Sequence, residues 1–138
     1  MTTQYIKYAH GYKNVLKEDV AIDIGLKGFA FETDYIVLDV NGLMTIKKGY
    51  AWDGVSGPTY DDQTNIGPSL FHDAGCQSMR LGLLPEWLRA WFDDQFVERC
   101  RRCGMNRFRA WYYRLFVPLG KNASKKGYEP YPTLTAPI

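Results

Sequence analysis

Asn41-Gly42 sits between two runs of β-favouring residues, Tyr35–Val40 and Leu43–Lys47, and this dipeptide constrains the fold more than any other feature of the chain. Both residues tolerate positive φ, so Asn-Gly between such runs is a strong signal for an antiparallel hairpin. Gln4–Tyr8 and Val20–Ile24 are weaker strand candidates that would complete a small sheet. Beyond Pro68 the pattern turns helical. Proline suits a first helical turn, and Ser69–Leu81 follows in helical register. The turn Gly82-Leu83-Leu84-Pro85 leads to a second helix over Glu86–Arg102, and Gly104 caps it. A third helix runs over Arg107–Leu119 and stops at Gly120. Strands first and helices after predict an α+β fold, a small N-terminal antiparallel β-sheet followed by three helices, the first two an antiparallel pair. A chain of 138 residues, 46% of them hydrophobic, is expected to build one core. Residues 1–120 form the expected α+β domain, and residues 121–138, with Pro130, Pro132 and Pro137, an extended C-terminal tail.

No apolar run approaches the ~18 residues that span a bilayer, so no transmembrane segment is expected. Met1–Tyr5 has neither the basic nor the apolar region of a secretory signal, so a cytosolic setting is expected. Three cysteines, Cys76, Cys100 and Cys103, are too few and odd in number for a disulfide scaffold. Charge is unevenly spread. Residues 1–79 carry 6 Lys/Arg against 10 Asp/Glu, net −4, and residues 80–138 carry 11 against 5, net +6. The basic half suits an anionic substrate or surface, or is simply a solvated face. Trp87, Trp91, Trp111, Tyr112, Tyr113 and Phe116 read as helix packing, with a partner surface as the alternative.

Between the sheet and the first helix lies an aperiodic loop over residues 48–67, long enough to suggest function. His72-Asp73 follow it, one turn into the helix. At 100° per residue the two side chains diverge, so His72 can meet a neighbouring helix while Asp73 faces the loop. On the second helix, Phe92, Asp93, Phe96, Cys100 and Cys103 share one arc, and Asp94 points away. An antiparallel hairpin about the 82–85 turn pairs positions summing to about 167, which puts His72 within reach of Asp93. A carboxylate on one imidazole nitrogen fixes the tautomer and raises the basicity of the other, which can then accept a proton from water. Asp73 with Trp52-Asp53-Gly54 forms an oxygen-rich set of the kind that holds calcium, although it is no EF-hand. The alternative metal, zinc on His72, Cys76, Cys100 and Cys103, is disfavoured because the two pairs lie one to two turns apart on the hairpin.

The loop, Asp73 after His72, and Asp93 on the next helix together resemble secreted phospholipases A2 over residues 50–93. That resemblance implies His72 as the base, Asp73 with the loop as the ion site, and Asp93 as the group that orients His72; Cys76 stands where the pattern carries Tyr. Over residues 30–120 the chain resembles a family of uncharacterised proteins of tailed phages and prophages, domain of unknown function thirteen fifty-three. The matching residues are Gly49-Tyr50-Ala51-Trp52-Asp53-Gly54-Val55-Ser56-Gly57-Pro58, His72-Asp73, Arg80, Asp93-Asp94-Gln95-Phe96 and Gly104-Met105. Ser56, Pro58, Asp61, Arg80 and Cys76 are therefore grouped with the site. The resemblance implies a phage or prophage accessory protein, located in the host cytoplasm or the virion. Two readings stay open: a metal-assisted hydrolase, or a non-catalytic protein that binds other virion proteins or a host factor and uses the His-Asp pair structurally.

Overall fold

A computed structural model describes residues 5–8, 13–55, 59–129 and 134–137. In chain order these form β1 (Tyr5–Tyr8), β2 (Asn14–Val15), β3 (Val20–Asp23), β4 (Phe31–Glu32), β5 (Ile36–Leu38), β6 (Leu43–Ile46) and β7 (Ala51–Trp52). Three helices follow, α1 (Ile66–Arg80), α2 (Arg89–Arg102) and α3 (Arg107–Phe116), and β8 (Leu134–Pro137) comes last. The fold is α+β, with antiparallel sheets before the helices and α1 packed antiparallel to α2.

The main sheet has four strands in the order β3-β6-β5-β4. Its hairpin pairs Ile36 with Ile46 and Leu38 with Met44, so all four side chains enter the core from one face. The turn is not the two-residue kind expected from Asn41-Gly42. Asp39 N donates to Leu43 O at 3.0 Å and Gly42 N donates to Asp39 O at 3.0 Å, which leaves a three-residue loop, Val40-Asn41-Gly42. Only Gly42 has positive φ, at 98°, and a Cβ there would stand 3.0 Å from the Leu26 amide nitrogen. The glycine is thus required, whereas Asn41 is not using the left-handed region. Asp39 accounts for the difference by accepting from the Asn41 and Leu43 amides, at 2.9 and 3.0 Å.

β3 completes the sheet, but β1 does not. It pairs with β8 at the far end of the chain, Tyr5 opposite Pro137 and Tyr8 opposite Leu134. The expected extended tail begins instead with a 3-10 turn at Lys121–Ser124; Leu134–Pro137 is extended and pairs as a strand, and Pro130 and Pro132 lie outside the described residues. Gln4 lies outside the described residues.

α1 begins at Ile66, earlier than Ser69, with Asn65 as its N-cap. Glu86–Leu88 is a 3-10 turn before α2, and α3 gives way to a 3-10 turn at Val117–Leu119, where Pro118 offers no N–H to continue the helix. α1 is buried on most sides, by Leu70, Phe71, Ala74, Cys76 and Met79 among others. One core cluster joins these residues to the sheet and to Leu88 and Phe92; a second joins Phe96, Val97 and Cys100 of α2 to Ala110 and Tyr113 of α3. The aromatic stripe does not all pack inward: Tyr113 is fully buried, but Trp87 and Trp111 are exposed. Cys103, expected on the inward arc of α2, is also exposed, because the helix ends there and the chain turns through Gly104.

α1 and α2 come close enough for one side chain to be excluded. A Cβ on Gly75 would lie 2.4 Å from the Phe92 ring, and that ring is buried. Gly75→Ala is expected to lower stability by about 1–3 kcal/mol in denaturant unfolding, although alanine is the better helix former. Unchanged or increased stability would show that the two helices are farther apart than described.

Candidate functional site

The antiparallel pairing of α1 and α2 brings His72 to Asp93, and the contact is short. His72 Nε2 lies 2.6 Å from Asp93 Oδ1. The same oxygen accepts from Arg89 Nε at 2.7 Å. Arg89 sits one turn before Asp93 on α2, an i,i+4 pair whose spacing is visible in the sequence. Its other nitrogens reach across the fold, Nη1 to Gly120 O at 2.6 Å and Nη2 to Val117 O at 2.9 Å. Asp93 is thus the meeting point of α1, α2 and the segment after α3.

The second imidazole nitrogen has a different setting. His72 Nδ1 is 3.9 Å from Asp73 Oδ1 and 3.9 Å from Cys76 Sγ, beyond hydrogen-bond length for the oxygen. The Phe96 ring centroid is 5.0 Å away, and only 11% of the His72 side chain is exposed. Burial lowers the His72 pKa, but Cys76, Asp73 and Asp93 outweigh it and hold the imidazole well above its usual value. Burial pushes Asp93 up, but His72 and Arg89 more than reverse this and keep it ionised below the usual range. Asp73 goes the other way. Burial raises it, the Asp53 charge adds to the effect, and His72 and Arg80 offset these only in part.

The loop residues are placed as follows. Trp52 is buried and donates from Nε1 to Ser69 Oγ at 3.1 Å, which fixes the loop to α1. Asp53 Oδ1 accepts from Lys13 N at 3.0 Å. Gly54, at φ 90°, lies against Asp61, whose carboxylate would be 2.6 Å from a Cβ there, and Asp61 Oδ1 accepts from Val55 N at 3.2 Å. Asp61 therefore braces the loop. Arg80 donates from Nη1 to Ala123 O at 2.6 Å and so ties the end of α1 to the C-terminal segment. Ser56 and Pro58 lie outside the described residues. Cys76 and Cys100 are buried free thiols, and burial pushes Cys100 up to about 12. Among the described residues no three His, Cys, Asp or Glu side chains converge as a metal-holding group.

Sequence reasoning missed a second polar cluster on the other side of the loop. Arg109 of α3 forms an ion pair with Asp62 and donates from Nη2 to Tyr60 O and Tyr113 Oη, each at 3.0 Å. Asn65 Nδ2 donates to Tyr60 O at 2.9 Å and Tyr113 Oη at 3.0 Å. Asp62-x-Thr64-Asn65 before a helix is a readable turn-and-cap signal. The Arg109 partner, 47 residues away, has no local signature.

Comparison of the chain with protein-family models, with curated proteins and with solved structures finds no match in any of the three.

The His72–Asp93 pair makes stability depend on pH in two windows. His72 is raised on folding, so its contribution is complete below about pH 6.5 and is lost as pH rises through the folded value. Asp93 is lowered, so its contribution is complete above about pH 4 and is lost as pH falls through its folded value. A plot of melting temperature against pH is expected to peak between these limits, and Asp93→Asn to flatten both flanks. Asp93→Asn with an unaltered profile would mean that the pair is not formed.

Proposed function

We propose that this chain is a phage or prophage accessory protein that hydrolyses an ester or amide, with His72 as the base and Asp93 as the residue that positions it. The observation behind this reading is the 2.6 Å contact at Nε2, which leaves Nδ1, beside Asp73, for a reacting water. In the step, the water oxygen bonds to the substrate carbonyl carbon as its proton passes to Nδ1. The tetrahedral intermediate then collapses: its carbon–leaving-group bond breaks, and the imidazolium returns the proton to the departing oxygen or nitrogen, which leaves a carboxylic acid and an alcohol or amine. Because folding raises the His72 pKa, the rate is expected to climb as pH rises through the folded value. The phage setting is supported by the resemblance carried by residues 49–58, His72-Asp73 and residues 93–96.

A hard divalent cation such as calcium suits the donors in kind, since Asp73 and Asp53 lie within electrostatic reach of each other and the carbonyls of Trp52 and Gly54 share the loop. Bound there, it would polarise the substrate carbonyl. The chain's own contribution is to hold Asp73 beside His72 Nδ1 and to keep His72 fixed by Asp93.

A second reading is favoured by one observation: Arg89 shares the Asp93 oxygen and continues to the Val117 and Gly120 carbonyls, so the same carboxylate is also a tie in the fold. In that reading the chain is a virion component or binds a host factor without catalysis.

Two measurements separate these. With calcium at about a hundredfold above its Kd, the native state gains ~2.7 kcal/mol and the melting temperature rises relative to EDTA; no response at millimolar calcium would remove the cation from the mechanism. On a panel of chromogenic esters, His72→Ala is expected to lose about a hundredfold or more in rate while remaining folded. Absence of hydrolysis by the unsubstituted protein at every pH, with and without calcium, would leave the non-catalytic reading.

A further inference from the structure

α3 is apolar on two opposite sides, and only one of them is covered. Ala110 and Tyr113 face the core, with Val117 just beyond the helix. On the opposite side Phe108 is 75% exposed, Trp111 56% and Leu115 56%, and Leu119 in the following turn is 74% exposed. Phe108 and Trp111 lean together, with ring centroids 5.9 Å apart. A surface helix ordinarily turns polar residues to water, and one that is apolar all round is ordinarily buried. Here the outer stripe runs about 10 Å along the helix from Phe108 to Leu115, and no described residue lies over it.

The surrounding charge identifies the occupant. α3 contains Arg107, Arg109 and Arg114 and no acidic residue. Arg109 is engaged by Asp62, and Arg114 by Asp94 and Glu98. Arg102 and Arg107, just before α3 and at its start, are exposed, and no ion pair engages them among the described residues; Arg101, also exposed, donates to Met105 O. An aromatic and leucine ridge beside uncompensated arginines is the pattern of a helix that lies in the interface of an anionic bilayer, apolar side chains in the acyl boundary and guanidinium groups at the phosphates. A second copy of the chain would bring like-charged arginines together, and a nucleic acid could stack bases on Phe108 and Trp111 but would gain nothing from the exposed Leu115 and Leu119. We propose that the outer face of α3 docks on an anionic lipid surface. This docking is independent of any role for His72.

The test is sedimentation of the full chain with vesicles of phosphatidylcholine alone or mixed with phosphatidylglycerol, together with tryptophan emission. Binding to the mixed vesicles, a blue shift, and weakening by salt are expected. Trp111→Ser and Leu115→Ser, both at exposed positions, should keep the melting temperature and reduce partitioning by about tenfold each. Trp111→Ser should also abolish the shift, and Arg107→Gln should cost about fivefold on the mixed vesicles only. The proposal is overturned if the protein stays in the supernatant with both vesicle types, or if the serine variants bind as well as the parent. It is equally overturned if the protein is a dimer that Trp111→Ser dissociates, since the face would then be a self-interface.

Discussion

One carboxylate oxygen ties α1 to α2 within the apolar packing of the helices. Asp93 Oδ1 accepts from the His72 imidazole and from the Arg89 guanidinium at once, at 2.6 and 2.7 Å. Asp93 is buried, and a buried carboxylate is costly unless it is paired and hydrogen-bonded. Here α1 supplies one partner and the preceding turn of α2 supplies the other. Because Arg89 also reaches the carbonyls after α3, removal of Asp93 would unpair two cations in different elements. Breaking a buried pair from one side costs ~3–5 kcal/mol, much of it the penalty on the group left behind.

The same arrangement sets the chemistry available to His72. With Nε2 committed, the tautomer and ring orientation are fixed, and any proton exchange runs through Nδ1. Arg89 tempers the pair by competing for the Asp93 charge, while Asp73 and Cys76 raise the affinity of the ring for its proton from the opposite side. These neighbours favour the protonated imidazole.

Much of this was legible in the sequence where the signal is local or follows from helix geometry. The change from β-favouring runs to helical register at Pro68 marks the fold class, and pairing residues about the 82–85 turn brings position 72 to about position 95, within reach of Asp93, by arithmetic alone. The turn at Asn41-Gly42 shows the limit of a motif: the hairpin is there, but Asp39 claims the nearby amides and moves the turn type, leaving only Gly42 in the left-handed region. The connections invisible in the sequence are the long ones. Arg89 to Val117, Arg109 to Asp62, and β1 to β8 each join segments whose spacing has no period, and only the folded chain brings them together. The outward face of α3 was obscured for another reason: Trp111 and Tyr113 are both aromatic, and composition does not distinguish the buried ring from the exposed one.

A double-mutant cycle across α1 and α2 tests the central contact most directly. Unfolding free energies of His72→Leu, Asp93→Leu and the double variant should reveal a coupling of about 2 kcal/mol, since the second substitution removes a charge that the first has already left unpaired. Additivity within ~0.5 kcal/mol would contradict the account, because it would mean that the imidazole and the carboxylate do not sense each other in the folded protein.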